Sequence, residues 1–167
     1  YGNVMGSRGS VIPFFMTLRN SKKLPITDPR MTRFMISLEE GVELVWHAFQ
    51  NMRGGEIYVK KIPSMRIVDL ARVIAPNVKH EVVGVRPGEK LHEQMIGPAD
   101  SYSTYEYSSY FKILPQINDL NLDNERIGDG IKVPEGYIYS SDNNEHWLSE
   151  EELKVWITKN EASIGRI

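Results

Sequence analysis

The stretch Arg86-Pro87-Gly88-Glu89-Lys90-Leu91-His92-Glu93 places an arginine just before a Pro-Gly turn and an acidic residue just after it. Pro87 fixes its own backbone and holds Arg86 extended, while Gly88 lets the chain turn into a predicted amphipathic helix. A guanidinium suits a phosphate, and a carboxylate suits the diol of a ribose. The pattern therefore predicts a binding site at the lip of a concave surface. A surface helix cap with an i, i+3 salt bridge is the alternative.

The segments before this stretch predict a strand that delivers the chain to Arg86. Residues 82–85 form a short apolar run, and a helix through residues 67–74 precedes it, with Ser64 as its predicted cap and Pro76 as its stop. Strand, turn and helix in this order put Arg86 and Glu89 at the carboxyl edge of a sheet. Ligands of open α/β sheets bind at that edge.

A second helix–strand pair predicts an α/β fold. Ser37 and Glu40 have the spacing of a capping box, and the helix that follows carries one apolar face and ends at residues 53–55. The residues of that face are Leu38, Val42, Val45, Trp46 and Phe49. The strand predicted at residues 56–60 follows a tight turn, which favours a crossover onto a parallel sheet.

The remaining chain gives weaker signals. Short strands are predicted at residues 24–30 and 33–36, a strand or contact surface in the aromatic run 102–111, and a long loop over 118–136. Ser149 and Glu152 form a capping box at the start of a terminal helix over residues 147–157, and residues 158–167 are expected to fray.

A possible anion site precedes the helix that begins after Ser10. Ser10 can cap this helix, Val11 opens its apolar face, and Arg8 lies near its positive end. Free backbone N–H groups beside an arginine can bind an anion. An ordinary capped helix explains the same residues equally well. Together with Arg33 and Arg86, these residues indicate a basic binding surface.

Composition excludes several classes of protein. The 167 residues carry a net charge of −2 with mixed signs, no cysteine and no apolar run of membrane-spanning length. We therefore expect a cytoplasmic protein without disulfides, a nucleic-acid surface or a membrane anchor. The four histidines are too scattered to predict a metal site, and Tyr-x-x-x-Lys occurs nowhere. We predict a binding surface without a catalytic constellation, in a fragment that lacks an amino-terminal half.

Four motifs occur in a fixed order along the chain, at Tyr1 to Pro13, Pro25 to Phe34, Lys61 to Met65 and Arg86 to Glu93. A further motif is Tyr139-Ser140-Ser141-Asp142-Asn143-Asn144. Together these motifs resemble the inverting UDP-N-acetylglucosamine 4,6-dehydratases, which open bacterial pseudaminic acid biosynthesis and are extended short-chain dehydrogenase/reductases.

The resemblance implies the carboxyl-terminal half of such an enzyme. It implies the last elements of a Rossmann-like sheet, at about residues 37–60, interleaved with a small α/β region that binds the UDP-sugar. The glycine-rich cofactor loop and all catalytic residues would lie upstream of Tyr1, so NADP would be bound mainly by the missing half. The full enzyme would be a homo-oligomer, and the isolated chain is expected to be inactive.

The resemblance also implies roles for individual residues. Tyr1 and Gly2 would run close to the nicotinamide, and Asn3 would contact the sugar-nucleotide phosphate. Ile26 and Thr27 would border the uracil. Arg33 would grip the diphosphate, and Arg86 and Glu89 would hold the diphosphate and the uridine ribose. The helix after Ser10 would line the same pocket.

Two other functions remain open from the sequence. One is a related capsule-type UDP-N-acetylglucosamine 5-epimerase or 4,6-dehydratase. The other is a nucleotide-sugar binding or assembly module without activity.

Overall fold

The computed structural model describes residues 2–116 and 120–166. Its helices are α1 (Val11–Leu18), α2 (Leu38–Asn51), α3 (Ile67–Ile74), α4 (Leu120–Ile127) and α5 (Glu150–Asn160). Its strands are β1 (Asn3–Val4), β2 (Lys23–Ile26), β3 (Thr32–Ile36), β4 (Ile57–Lys60), β5 (Ser64–Arg66), β6 (Lys79–Val82), β7 (Gln94–Ile96), β8 (Thr104–Glu106), β9 (Tyr110–Ile113), β10 (Ile131–Lys132) and β11 (Tyr139–Ser140).

The chain divides into two compact units. The first unit comprises Gly2–Ser37, Ile62–Glu93 and Ser141–Ile167, and the second comprises Leu38–Lys61 and Gln94–Ser140. In the first unit, β1 runs parallel and β5 antiparallel to the central strand β3, and β2 pairs in parallel with β6. Apolar residues of α1, α3 and α5, including Phe15, Leu70 and Leu153, form one buried core with those of β2 and β3.

The second unit is built on an antiparallel sheet with the order β10-β8-β9-β4. Strand β4 lies within residues 56–60 as predicted, but the parallel pairing predicted for it is wrong, because β4 pairs antiparallel with β9. The partner strand comes from the hairpin of β8 and β9, more than 40 residues later in the chain. Strand β4 is an edge of this sheet among the described residues.

Helix α2 confirms the predicted helix and leaves its apolar face uncovered. The residues of that face are between 42% and 67% exposed: Leu38, Val42, Val45, Trp46 and Phe49. Trp46 and Phe49 contact each other edge to face, with ring centroids 6.2 Å apart. A contiguous exposed apolar face of this kind usually marks a contact surface.

Several local predictions are wrong. Ser64 does not cap α3, because it is a buried residue of β5, and Arg66 occupies the N-cap position. The strand predicted at residues 82–85 lies earlier, at β6. The loop predicted over 118–136 contains α4 and β10, although residues 117–119 lie outside the described part of the chain.

The terminal helix is confirmed, with its start at α5. The Ser149 hydroxyl accepts a hydrogen bond from the Glu152 N–H, and the Glu152 carboxylate accepts one from the Ser149 N–H. These two bonds complete the predicted capping box. The fraying predicted from residue 158 is wrong, because α5 continues to Asn160. Beyond it, Ile164 packs against the core and the Gly165 N–H donates to the Gly6 carbonyl.

Glu56 organises the turn between α2 and β4. Its carboxylate accepts from the backbone N–H groups of Arg53 and Gly54 at 2.8 and 2.7 Å, and the Arg126 Nε lies 3.9 Å away. Burial would raise the pKa of this carboxyl, but these N–H groups and the Arg126 charge outweigh burial and lower the pKa below its ordinary value.

We therefore predict that Glu56 stabilises the fold above the ordinary carboxyl pKa, and that this contribution is lost as the pH falls through the lowered pKa. Glu56→Gln is expected to reduce the free energy of unfolding at pH 7 by about 1–2 kcal/mol and to flatten its dependence on pH. Urea unfolding at pH 7 and pH 3 measures both effects. An unchanged pH dependence in the variant would contradict the prediction.

Candidate functional site

A cavity of about 640 Å³ lies in the first unit, at one end of the parallel β2–β6 pair. Thr27 follows β2 directly, and the chain leaving β6 reaches Arg86 and Glu89 four and seven residues later. All three residues line the cavity. The predicted position of Arg86 and Glu89 beyond the carboxyl ends of strands is therefore confirmed.

The structure brings most of the predicted site residues together. Those that line the cavity are Asn3, Ser10, Val11, Thr27, Arg33, Arg86 and Glu89. Ile26 does not, because its side chain is 1% exposed and belongs to the core. Arg8 and Gly2 also lie outside the cavity lining, and Tyr1 falls outside the described residues.

The turn that carries Arg86 and Glu89 is closed by their own backbone and side-chain groups. The Glu89 N–H donates to the Arg86 carbonyl at 3.0 Å, and the Glu89 carboxylate accepts from the Arg86 N–H at 3.2 Å. Gly88 has a φ of +81°, which only glycine adopts without strain. The turn therefore presents the Arg86 guanidinium and the Glu89 carboxylate on one exposed loop.

The amphipathic helix predicted after this turn is wrong. The chain instead runs without regular structure to β7. Arg33 donates to the Lys90 carbonyl at 2.9 Å and to the Leu91 carbonyl at 3.0 Å, and the Thr32 N–H also donates to Leu91. These carbonyls are therefore occupied by partners from β3 instead of by a helix ladder.

Arg33 lines the cavity with a guanidinium that is already well bonded. Besides Lys90 and Leu91, it donates to the Thr32 carbonyl at 2.7 Å, and its Nε lies 3.4 Å from the Glu93 carboxylate. Its side chain is only 12% exposed. Arg33 thus adds positive charge to the wall while it holds the segment after the turn.

Asp28 and Arg30 fix the loop that follows Thr27. The Asp28 carboxylate accepts from the Arg30 side chain at 3.0 and 2.8 Å and from the Arg30 N–H at 2.8 Å. The Arg30 guanidinium and N–H lower the pKa of Asp28 to about 2. Asp28 is therefore charged at neutral pH, and the turn leads directly to Met31, another residue of the cavity wall.

The N-terminus of α1 opens onto the same cavity. Ser10 is the N-cap residue, but its side chain makes no cap hydrogen bond, and its buried hydroxyl has no partner among the described residues. The predicted side-chain cap is therefore absent in this structure. First-turn N–H groups and an available hydroxyl at the positive end of a helix can accommodate an anion.

Sequence reasoning missed the aromatic wall of the cavity. Phe14 and Phe15 both line the cavity, but Phe14 is 49% exposed, whereas Phe15 is 2% exposed and also belongs to the core. Adjacent positions on a helix point in different directions, so the aromatic pair itself was an available signal. Phe14 offers an apolar ring that could pack against a flat ligand group.

Side chains that could hold a metal ion are not grouped in the described part of the chain. Within residues 2–116 and 120–166, no group of three or more His, Asp or Glu side chains is placed to hold a metal ion. The helices of the described chain are also too short or too polar to cross a membrane. The arrangement is suited to binding a ligand with anionic, apolar and hydroxyl-bearing parts.

Comparisons with known proteins show the family to which this chain is similar. The family model described as polysaccharide biosynthesis protein matches residues 1–115. A UDP-N-acetylglucosamine 4,6-dehydratase (inverting) from Campylobacter jejuni is 54% identical over 97% of this chain and 51% of its own length. A UDP-glucose 4-epimerase from Rickettsia akari is 37% identical over 95% of this chain and 48% of its own length.

One solved structure also matches nearly all of this chain and about half of its own length. The X-ray structure of Pen from Bacillus thuringiensis superposes with a TM-score of 0.78 at 32% identity, over 96% of this chain and 47% of that one. These relatives and the mixed parallel and antiparallel sheets confirm the predicted α/β fold class. The chain spans about half the length of the curated relatives it matches.

Proposed function

This chain belongs to the polysaccharide biosynthesis protein family, and we propose that it supplies the UDP-N-acetylglucosamine-binding half of an inverting 4,6-dehydratase. The observation that carries the proposal is the placement of Arg86, Glu89 and Thr27 around one cavity at the carboxyl edge of the β2–β6 pair. That edge is where α/β proteins bind nucleotides, and the cavity combines positive charge with apolar walls.

Each part of a UDP-sugar finds a complementary group in the cavity. The exposed Arg86 guanidinium is suited to a bidentate contact with the diphosphate, and Glu89 to the ribose hydroxyls. Asn3 and the N-terminus of α1 at Ser10 provide further donors for the phosphates. Thr27 borders the uracil, and Arg33 adds charge from the wall.

The chain's residues would bind and orient the sugar while the reacting groups come from elsewhere. In the proposed reaction, C4 loses a hydride and its hydroxyl a proton, and the C5 proton and the C6 hydroxyl then leave as water. The hydride returns to C6, and a proton adds to the opposite face of C5, which inverts that carbon. NADP would accept and return that hydride. Gly2 is the only described residue assigned next to it, and having no side chain, it carries no step. Binding energy from the nucleotide would place the hexose for this chemistry.

The exposed surfaces of the second unit support an origin in a larger enzyme. The apolar face of α2, and the edge of β4 that is unpaired among the described residues, would be covered by the rest of such a protein. We assign residues 37–60 to the terminal Rossmann elements on this basis. A homo-oligomer in the bacterial cytoplasm, acting in pseudaminic acid biosynthesis, completes the proposal.

Product analysis tests the proposed reaction. The intact protein, incubated with UDP-N-acetylglucosamine and NADP in D₂O, is expected to give a 4-keto-6-deoxy sugar with deuterium and inverted configuration at C5, seen by NMR. The 167-residue chain alone, as the matched control, is expected to give no turnover. Retained configuration at C5 would exclude the inverting dehydratase, and a C5 epimer that keeps its 6-hydroxyl would indicate the epimerase. UDP binding without any product would indicate the binding module.

A further inference from the structure

The motif at residues 139–144 has no part in the binding site described above, yet one of its residues is fully buried against the loop that carries Arg86. The Ser141 N–H donates to the Glu93 carbonyl at 2.8 Å, and the Glu93 N–H donates to the Ser141 hydroxyl at 2.9 Å. Ser141 is 0% exposed. Ser141 therefore contacts the segment immediately after the turn that carries Arg86, and both lie in the first unit.

Thr32 completes this contact from β3. Its hydroxyl lies 2.7 Å from the Ser141 hydroxyl and 2.8 Å from Nδ1 of His92, and its N–H donates to the Leu91 carbonyl at 3.1 Å. Thr32 is 4% exposed. Buried hydrogen bonds of this kind are costly to break, because each leaves an unsatisfied polar group behind. Residues 91–93 are thus tied to two separate parts of the chain.

The loop that carries Arg86 is exposed but fixed at both ends. At its start, the Val83 N–H donates to the Ile26 carbonyl at 2.9 Å, which extends the β2–β6 pairing. At its end, the Thr32–Ser141 contact holds residues 91–93. A loop that is ordered before binding loses less conformational freedom when the ligand arrives.

We propose that Thr32 and Ser141 are positioning residues, which hold the 86–89 turn in its nucleotide-binding place without touching the ligand. This inference rests on the proposed function, since it takes Arg86 to be a nucleotide contact. The motif at residues 139–144 then has a role in substrate affinity through Ser141, transmitted by hydrogen bonds to Glu93 and Thr32.

Two substitutions at Thr32 separate the hydroxyl from the shape of the side chain. Thr32→Val keeps the shape and removes the hydroxyl, whereas Thr32→Ser keeps the hydroxyl. Calorimetry on the intact protein is expected to give a UDP Kd raised about tenfold by Thr32→Val and less than about twofold by Thr32→Ser. If Thr32→Val does not fold, Ser141→Ala takes its place in the measurement, because it also removes the hydrogen bond between the Thr32 and Ser141 hydroxyls.

A double-mutant cycle distinguishes positioning from general stability. In a background that lacks both ligand-facing side chains of the turn, Arg86→Ala with Glu89→Ala, Thr32→Val is expected to weaken UDP binding no further, because the groups it positions are gone. A UDP Kd unchanged by Thr32→Val, or a full tenfold loss in both backgrounds, overturns the positioning role alone. A UDP Kd unchanged by Arg86→Ala overturns the proposed nucleotide contact and this inference with it.

Discussion

Arg86→Ala is expected to weaken the binding of UDP to the intact protein by about 1.5–3 kcal/mol, the range for hydrogen bonds to a charged group. That change corresponds to a Kd raised roughly 10- to 150-fold. Arg86 lies on an exposed loop and lines the cavity, so its guanidinium can reach a diphosphate without breaking a contact that the structure describes. Because the loop is exposed, added salt should reduce the difference between the two proteins.

Two control variants sharpen this measurement. Arg72→Ala removes an exposed arginine from the same unit that lies outside the cavity lining, and it should leave the UDP Kd unchanged. Arg86→Lys keeps the charge but loses the planar fork, so an intermediate Kd is expected. Calorimetric titration with UDP measures all three variants. Equal Kd values for Arg86→Ala and Arg72→Ala would rule out a specific contact by Arg86.

Asn144→Asp should lower the free energy of unfolding at pH 7 by about 2–3 kcal/mol, with little change in shape. The Asn144 side-chain NH₂ donates to the carbonyls of Ile62 and His146, both at 2.9 Å, and to the hydroxyl of Ser64 at 3.1 Å. Aspartate places an oxygen where that NH₂ stands, so the carbonyls of Ile62 and His146 would face an acceptor, whereas the Ser64 hydroxyl can donate to it. The lost carbonyl hydrogen bonds and the repulsion between the facing oxygens account for the expected loss of stability.

A second asparagine provides a matched control for this substitution. Asn77→Asp makes the same chemical change at an exposed turn position and should alter the free energy of unfolding by less than about 0.5 kcal/mol. The deficit of Asn144→Asp should shrink at low pH, where the protonated acid regains one donor. Urea unfolding at pH 7 and pH 3 measures both effects. Equal stability of the two variants at pH 7 would show that the Asn144 contacts contribute little.

The candidate site was predictable where it depends on residues that are close together in the sequence. The apolar run before Arg86 and the Pro-Gly turn after it indicated a position beyond the end of a strand, and β6 confirms that order. Thr27 joins the site because β2 runs parallel to β6, which brings the ends of both strands to one edge. Ile26 was wrong as a cavity residue because strand side chains alternate between faces, and its own faces the core.

The predictions that failed depend on partners far away in the chain. Residues 90–93 have a helical pattern, but their carbonyl and N–H groups bond to Arg33, Thr32 and Ser141, which local periodicity does not reveal. Strand β4 was recognised as a strand, yet its antiparallel partner β9 depends on a distant hairpin. Long-range pairing of this kind overrides local propensity.

All residues that line the cavity belong to the first unit, although they come from two separate stretches of sequence. On the proposed function, nucleotide recognition is therefore confined to one compact unit of the chain. Such a unit can be retained during evolution while the groups that transform the sugar diverge, because selection for nucleotide affinity and selection for catalytic activity act on different residues. Protein engineering can use the same separation, by exchanging the catalytic region of an enzyme while its nucleotide-binding unit is kept unchanged.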